Sequence, residues 1–470
     1  MDLLGRLRQL VGRDALLTAP EDTAAYLTDH RHLFQGAALA VVQPASTHEV
    51  SRLLAWCNET GIAVVPQGGN TGYCGGATPD ATGQQIVLSM HRMNRIRRVD
   101  ALNYSLVAEA GCTLAAVQAA ADAVDRLFPL SLGSEGSCQI GGNLATNAGG
   151  TAVLRYGMMR DLAMGIEVVL ADGSIISSLS ALRKDNTGYD MKGLMIGSEG
   201  TLGVITAACL KLFPRPRSIA TAWISIPDPG AAVALLARLR AGSGDRLASC
   251  ELLPRAALDL VLAEVPGMRD PGTTVAPWYL LVELASSAAD DMDAMVETLL
   301  ASAVESGEAL DAALARSGDQ RLDFWRLREN VPEAQRRAGA SLKHDISVPV
   351  TAVPELIERG ARIAADLVPE GFLVAYGHAG DGNLHFNVSQ RPGADLAAFR
   401  SREPVLQRAM HELVASMGGS FSAEHGIGQL KVDELERYAA PAELAAMRRI
   451  KQSLDPNGIL NPGKVLRRTT

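Results

Sequence analysis

Three glycine-rich segments, each set beside an apolar run of strand character, constrain this chain more than any other feature. The first, Gln67-Gly68-Gly69-Asn70-Thr71-Gly72-Tyr73-Cys74-Gly75-Gly76, follows the apolar residues 62–65. Five glycines in nine residues expose successive backbone amides, which suit the oxygens of a pyrophosphate. A second segment runs from Gly133 through Ser137, Gly141, Gly142, Asn143, Thr146 and Asn147 to Gly149 and Gly150. The third is Ile196-Gly197-Ser198-Glu199-Gly200-Thr201-Leu202-Gly203, entering another apolar run at Val204-Ile205. One such loop is an ordinary turn; three of them, interleaved with strands, imply an extended phosphate-bearing cofactor. Neither of two common nucleotide motifs accounts for them. No G-x-G-x-x-G follows the first strand. Gly458 to Lys464 has P-loop spacing, but Val465 stands where a magnesium-binding hydroxyl is required.

At 470 residues the chain has room for two or three domains of ~150 residues. Residues 38–42 read as a strand, Ser46-Thr47-His48-Glu49 as a cap opening a helix through Trp56, and 62–65 as a second strand stopped by Pro66. The prolines of Phe213-Pro214-Arg215-Pro216 mark a boundary. Beyond it, amphipathic helices are expected at 231–239, 291–304 and 354–367, alternating with strands at 222–226, 279–283 and 373–376. Pro441 suits the first turn of a final helix ending near Leu454. The expected organisation is an N-terminal helical segment (1–36), a cofactor domain (37–213), a sheet-and-helix domain (214–440) and a C-terminal helix and tail (441–470).

The second half carries its own chemistry in Tyr376-Gly-His378-Ala-Gly-Asp381-Gly-Asn383-Leu-His385-Phe-Asn387 and Ser422-Ala-Glu424-His425-Gly426. Two imidazoles and a carboxylate as ligands leave coordination positions open for a substrate oxygen, beside a further histidine that can act as a base. The glycines after His378 imply a loop leading into a strand on which His385 and Asn387 share one face. Asp381 is open to ligation, although Asp-Gly-Asn is also turn chemistry and reads better as that.

A net charge of −8 argues against a nucleic-acid surface, and no apolar run reaches the ~20 residues that span a bilayer. The six cysteines (57, 74, 112, 138, 209, 250) show no CxxC spacing and read as reduced, buried thiols, hence a cytoplasmic protein. Asp2, Glu21 and Asp22 disfavour a transit peptide at the N-terminus, which reads as a helix.

Together these motifs resemble the FAD-linked oxidase family related to vanillyl-alcohol oxidase. They are Val65 to Gly72, Gly141 to Gly150, Gly197 to Gly203, Asn461-Pro-Gly-Lys464, Arg183-Lys-Asp-Asn-Thr-Gly-Tyr-Asp190 and the two histidine motifs. The resemblance is strongest to the family's D-2-hydroxyacid dehydrogenases. It implies an α+β chain with a two-subdomain FAD-binding domain and a substrate domain built on an antiparallel sheet covered by helices. It also implies FAD contacts from Pro66, Gln67, Gly68, Gly69, Asn70, Thr71, Gly72, Gly133, Ser137, Gly141, Gly142, Asn143, Thr146, Asn147, Gly149, Gly200, Ile205 and Asn461. Asn70 stands where some relatives tether the flavin through histidine, so non-covalent FAD is expected.

By the same resemblance a divalent metal, zinc, sits on His378, His385 and Glu424, and His425 is the catalytic base and a substrate contact. Arg328, Lys343 and Asn387 meet the substrate's carboxylates, and Pro332 replaces an expected threonine. Arg328 and Lys343 would leave surplus positive charge for a second carboxylate, favouring D-2-hydroxyglutarate, with D-lactate or another D-2-hydroxyacid as the alternative. Hydride transfer to flavin N5 would follow, with reoxidation by electron-transfer flavoprotein or a quinone; a homodimer is compatible with the resemblance. Two other readings are a metal-dependent hydrolase, which leaves the glycine-rich half unexplained, and a non-enzymatic flavin-binding subunit, which leaves Glu424 and His425 unexplained.

Overall fold

A computed structural model describes residues 3–468. The chain forms two compact units: Met1–Gly150, Gly157–Arg215 and Glu424–Thr470 make the first; Thr151–Tyr156 and Pro216–Ala423 make the second.

In the first unit, Ser46 caps the helix Thr47–Thr60 by accepting a hydrogen bond from the Glu49 amide (3.3 Å), while Glu49 accepts one from the Ala45 amide (2.8 Å). Gly61, left-handed at φ 70°, ends it. The helix joins the parallel strands Ala40–Val42 and Val64–Gln67, which flank Ile86–Ser89 in a four-stranded sheet completed by Leu16–Leu17. Leu7, Leu53, Leu54, Val64, Ile86 and Leu88 are fully buried in one cluster, so the N-terminal helix Leu3–Val11 belongs to this core. Pro66 does not stop its strand: Pro66 pairs with Leu88 and the strand continues to Gln67. The strand lies at the end of the sheet order, where proline's missing N–H is tolerated.

A second, antiparallel sheet in this unit has the order Ile96–Asp100, Ser105–Glu109, Val204–Lys211, Ala163–Val169, Ile175–Ser178. The segment from Glu424 belongs with this unit rather than with the second, where the sequence had placed residues up to 440. Its backbone explains why: the Ile427 and Gly428 amides donate to the Glu199 carboxylate (2.7 and 2.8 Å), and Gln429 Nε2 donates to Gly75 O (2.9 Å).

The second unit is an antiparallel sheet ordered Asp311–Leu314, Ser218–Ile226, Trp278–Ser286, Leu247–Pro254, Gly371–His378, Asn383–Gln390, Ser341–Leu342, with Asp345–Ser347 also pairing to Asn383–Gln390. Alternation along Ser218–Ile226 sends Ala220, Ala222, Ile224 and Ile226 to one core and Trp223 to the other. The helices Pro229–Ser243, Met292–Glu305, Val353–Leu367 and Glu403–Ser416 contribute to the first core; Arg255–Glu264, Gly318–Glu329 and Val331–Ala338 contribute to the second. A sheet buried on both faces explains why its strands read as nearly unbroken apolar runs.

Candidate active site

The strand Val64–Gln67 delivers the first glycine loop into a cleft of the first unit. Gln67 organises the loop by donating from Nε2 to Tyr26 O (3.0 Å) and Ala77 O (2.8 Å). Asn70 takes a left-handed backbone (φ 53°) and spends its amide on Thr28 O (2.8 Å), so this side chain holds the loop. Gly69 is required by packing, because a Cβ there would lie 2.0 Å from the carbonyl oxygen of Ser137. In the helix Ile140–Ala145, a Cβ on Gly141 would meet the Ala110 Cβ at 2.7 Å, whereas one on Gly142 would meet no protein atom within 4 Å.

Of the residues expected to contact FAD, Pro66, Gln67, Gly68, Gly69, Asn70, Thr71, Gly72, Gly141, Gly142, Asn143, Thr146, Gly200 and Ile205 line this cleft. Gly133, Ser137, Asn147, Gly149 and Asn461 stand outside its lining. Two of these, Ser137 and Asn461, support its walls instead. The Ser137 carbonyl packs beneath Gly69, Asn147 accepts from the Arg160 amide (2.9 Å), and Asn461 donates to Gly76 O (2.9 Å) and Glu199 O (2.8 Å). The lining also includes Tyr73, Met90, Gln139 and Glu199, which the sequence reading had not singled out. Tyr73, Gln139 and Glu199 lie within the three glycine segments and could have been found there; Met90 carries no such signal.

The cleft fits a flavin dinucleotide. Its walls are backbone amides and small residues from three segments, and the buried Gln139 Oε1 has no hydrogen-bond partner.

His425 lines the same cleft, stacked on Tyr73 with ring centroids 4.5 Å apart. Gly426 (φ 71°) and Gly428 (φ 54°) shape the loop beyond it. A Cβ on Gly428 would lie 2.1 Å from Cys74 O, so that loop packs against the first glycine loop. Burial raises the pKa of the Glu199 carboxyl, against the opposing pull of the Ile427 and Gly428 amides.

In the second unit His378 ends one strand of a hairpin and His385 lies on the next, paired with Tyr376. Asp381 takes the turn role, accepting from the Asn383 amide at 3.1 Å. The two imidazoles are 5.7 Å apart between centroids. His378 Nδ1 is 2.6 Å from Glu251 Oε1, and Arg328 Nε donates to Glu251 Oε2 at 2.6 Å, with the guanidinium 4.9 Å above the Tyr376 ring. Glu251 is fully buried. Burial alone would raise its pKa, but Arg328 and His378 outweigh that and hold it at about 2.

This pair corrects the charge argument drawn from sequence: Arg328 is neutralised by Glu251 and does not contribute surplus positive charge. Asn387 donates to Gln335 Oε1 (2.9 Å), and Gln335 in turn donates to Ser389 (2.8 Å), so Asn387 is held by a buried amide network. Lys343 is exposed, beside the strand that pairs Asp345 with His385. Pro332 occupies the first turn of the helix Val331–Ala338, where no N–H is needed.

The donor set suits a divalent ion. Two histidines share one hairpin, and a carboxylate on one ring's Nδ1 leaves Nε2 for a metal. Glu424 belongs to the first unit.

Two family descriptions match the chain: "FAD binding domain" over residues 38–178 and "FAD linked oxidases, C-terminal domain" over 215–465. The mitochondrial D-2-hydroxyglutarate dehydrogenase of Arabidopsis thaliana is 36% identical, covering 98% of this chain and 80% of its own length. That of Bos taurus is 39% identical, over 99% and 83%. The D-2-hydroxyglutarate dehydrogenase of Xanthomonas citri is 36% identical, over 98% and 96%. Among solved structures, p-cresol methylhydroxylase superposes with a TM-score of 0.78 at 16% identity, covering 99% of this chain and 96% of that one. Alkyldihydroxyacetonephosphate synthase superposes at 0.76 and 17% identity, over 98% and 85%. The fold is thus the α+β, vanillyl-alcohol-oxidase type expected from sequence.

The cytoplasmic expectation is corrected: the Arabidopsis and Bos taurus relatives are named mitochondrial. The thiols misled because six buried, unbridged cysteines report a reducing environment, not which compartment supplies it. Among the described residues, no helix is long and apolar enough to cross a membrane.

Proposed function

Because the chain belongs to the family of FAD-linked oxidases, we propose that it is an FAD-dependent D-2-hydroxyacid dehydrogenase converting D-2-hydroxyglutarate to 2-oxoglutarate. The observation that carries this reading is the cleft itself, in which the three glycine segments and His425 share one lining. His425 is the general base for the C2 hydroxyl proton, a task suited to an imidazole near neutral pH. Tyr73, stacked on its face, limits the ring's rotation. Bound in their sites, FAD supplies the acceptor for the C2 hydride and a zinc or other divalent ion supplies a Lewis acid. His378, His385 and Glu424 hold the ion, and Arg328, Lys343 and Asn387 orient the substrate. Asn70 has no imidazole to offer the flavin and its amide is engaged by Thr28 O, so the FAD is non-covalent. Electrons leave to electron-transfer flavoprotein or a quinone.

A second reading, a dehydrogenase for D-lactate or another D-2-hydroxyacid, is favoured by the Glu251–Arg328 pair, which removes the charge surplus that argued for a second carboxylate. Anaerobic mixing with D-2-hydroxyglutarate, D-malate and D-lactate separates the two. Bleaching of the flavin with highest kcat/KM for D-2-hydroxyglutarate is expected, and a clear preference for D-lactate would establish the second reading. A protein that takes up no FAD would defeat both.

A further inference from the structure

Glu251 is the most deeply buried carboxylate in the second unit. It lies on the strand Leu247–Pro254 directly opposite His378 in the antiparallel register, with its side chain only 1% exposed to solvent. Each carboxylate oxygen has a different partner: Oε1 meets His378 Nδ1 and Oε2 meets Arg328 Nε, both at 2.6 Å. Placing a charge in such a position is costly unless both oxygens are engaged.

We infer that Glu251 is a positioning residue that orients the metal ligand His378 and the substrate cation Arg328 together, an inference that rests on the metal-assisted reading above. A carboxylate only accepts hydrogen bonds, so Nδ1 must carry the imidazole proton and Nε2 presents its lone pair. The other oxygen takes the Nε side of the guanidinium. The direction in which Arg328 presents its remaining N–H groups is therefore set by the same residue that sets the tautomer of His378.

The chemistry of glutamine makes this testable. An amide has one acceptor oxygen for two donors. In Glu251→Gln, either the oxygen serves His378 and the NH2 group opposes the guanidinium, or the oxygen serves Arg328 and the NH2 group donates to Nδ1. The second arrangement moves the imidazole proton to Nε2, where it blocks a metal.

The experiment measures Zn2+ affinity of the FAD-loaded full-length protein by competition with a chromophoric chelator, with flavin content and melting temperature reporting folding separately. Glu251→Gln is expected to weaken Zn2+ binding by roughly 10–100-fold with flavin content unchanged. On the zinc-saturated variant, KM for D-2-hydroxyglutarate should also rise. Adding Arg328→Met removes the competing donor, so E251Q/R328M should bind Zn2+ as tightly as R328M alone, a rescue that a merely structural role does not produce.

Should Glu251→Gln fail to fold, E251Q/R328M against E251L/R328M compares two charge-free pockets that differ in the acceptor offered to His378. Equal zinc affinity in that pair, or in wild type and Glu251→Gln, overturns the inference while leaving the metal reading intact. A wild-type protein that binds no Zn2+ defeats the metal reading and this inference with it.

Discussion

Replacing Gly142 by alanine should push protein stability and FAD affinity in opposite directions. Gly142 sits in the helix Ile140–Ala145 and lines the cleft, and an added Cβ would meet no protein atom within 4 Å. In the protein stripped of FAD, the substitution exchanges a poor helix former for the best one, a gain of up to about 1 kcal/mol, reduced because the helix is only six residues long. If FAD binds against this helix as proposed, the methyl group would enter space the cofactor needs. Overpacking of that kind costs about 1–3 kcal/mol, or roughly 5–150-fold in Kd.

Gly69→Ala is the contrasting case. Its Cβ would lie 2.0 Å from Ser137 O and 2.9 Å from Ser137 C, both backbone atoms that cannot rotate away. The stripped protein itself should therefore lose about 1–3 kcal/mol. Thermal melting of both variants without flavin, followed by fluorescence titration with FAD, measures the two effects independently. A Gly142→Ala protein that binds FAD with wild-type affinity would refute the placement of the cofactor against this helix, whatever its melting temperature.

His425→Ala should slow anaerobic flavin reduction by roughly 10²–10⁴-fold with flavin and metal content unchanged; loss of the metal instead would show that His425 is a ligand. Lys464 is 3% exposed, and burial pushes its ammonium down to about 8, with Asp80 only partly opposing. Its folded pKa lies below the unfolded value of 10.5, so between about pH 8 and 10.5 the unfolded chain holds a proton that the folded chain has released, and stability rises with pH by at most about 3 kcal/mol. Lys464→Met should be more stable than wild type at pH 7, with the difference shrinking toward pH 10. A pH series of denaturant melts showing a constant difference would contradict this.

The elements that local sequence specifies are those it made legible. Ser46 and Glu49 cap their helix through residues three and four positions away, and Pro441 opens the helix ending at Leu454. The glycine motifs predicted a cofactor cleft because tight backbone curvature and close approach can be supplied by few other residues. Asp381 was read as a turn for the same local reason. Pro66 was misjudged because proline's effect on a strand depends on whether a neighbour needs its N–H, which only the sheet order decides.

What the sequence by itself determined is the set of chemically capable groups: three glycine loops, two histidines in one hairpin, and the Glu424–His425 pair. Tertiary structure alone decided which carboxylates support them. Glu199 bonds amides 228 and 229 residues away, and Glu251 reaches partners 77 and 127 residues away. Glu251 sits in an apolar strand with no flanking motif, and its role exists because antiparallel pairing sets it opposite His378. Distance along the chain carries no information about such pairs, since burial and register are properties of the folded sheet. The same structure showed Arg328 to be half of a buried ion pair, a fact that changes what its charge can say about the substrate.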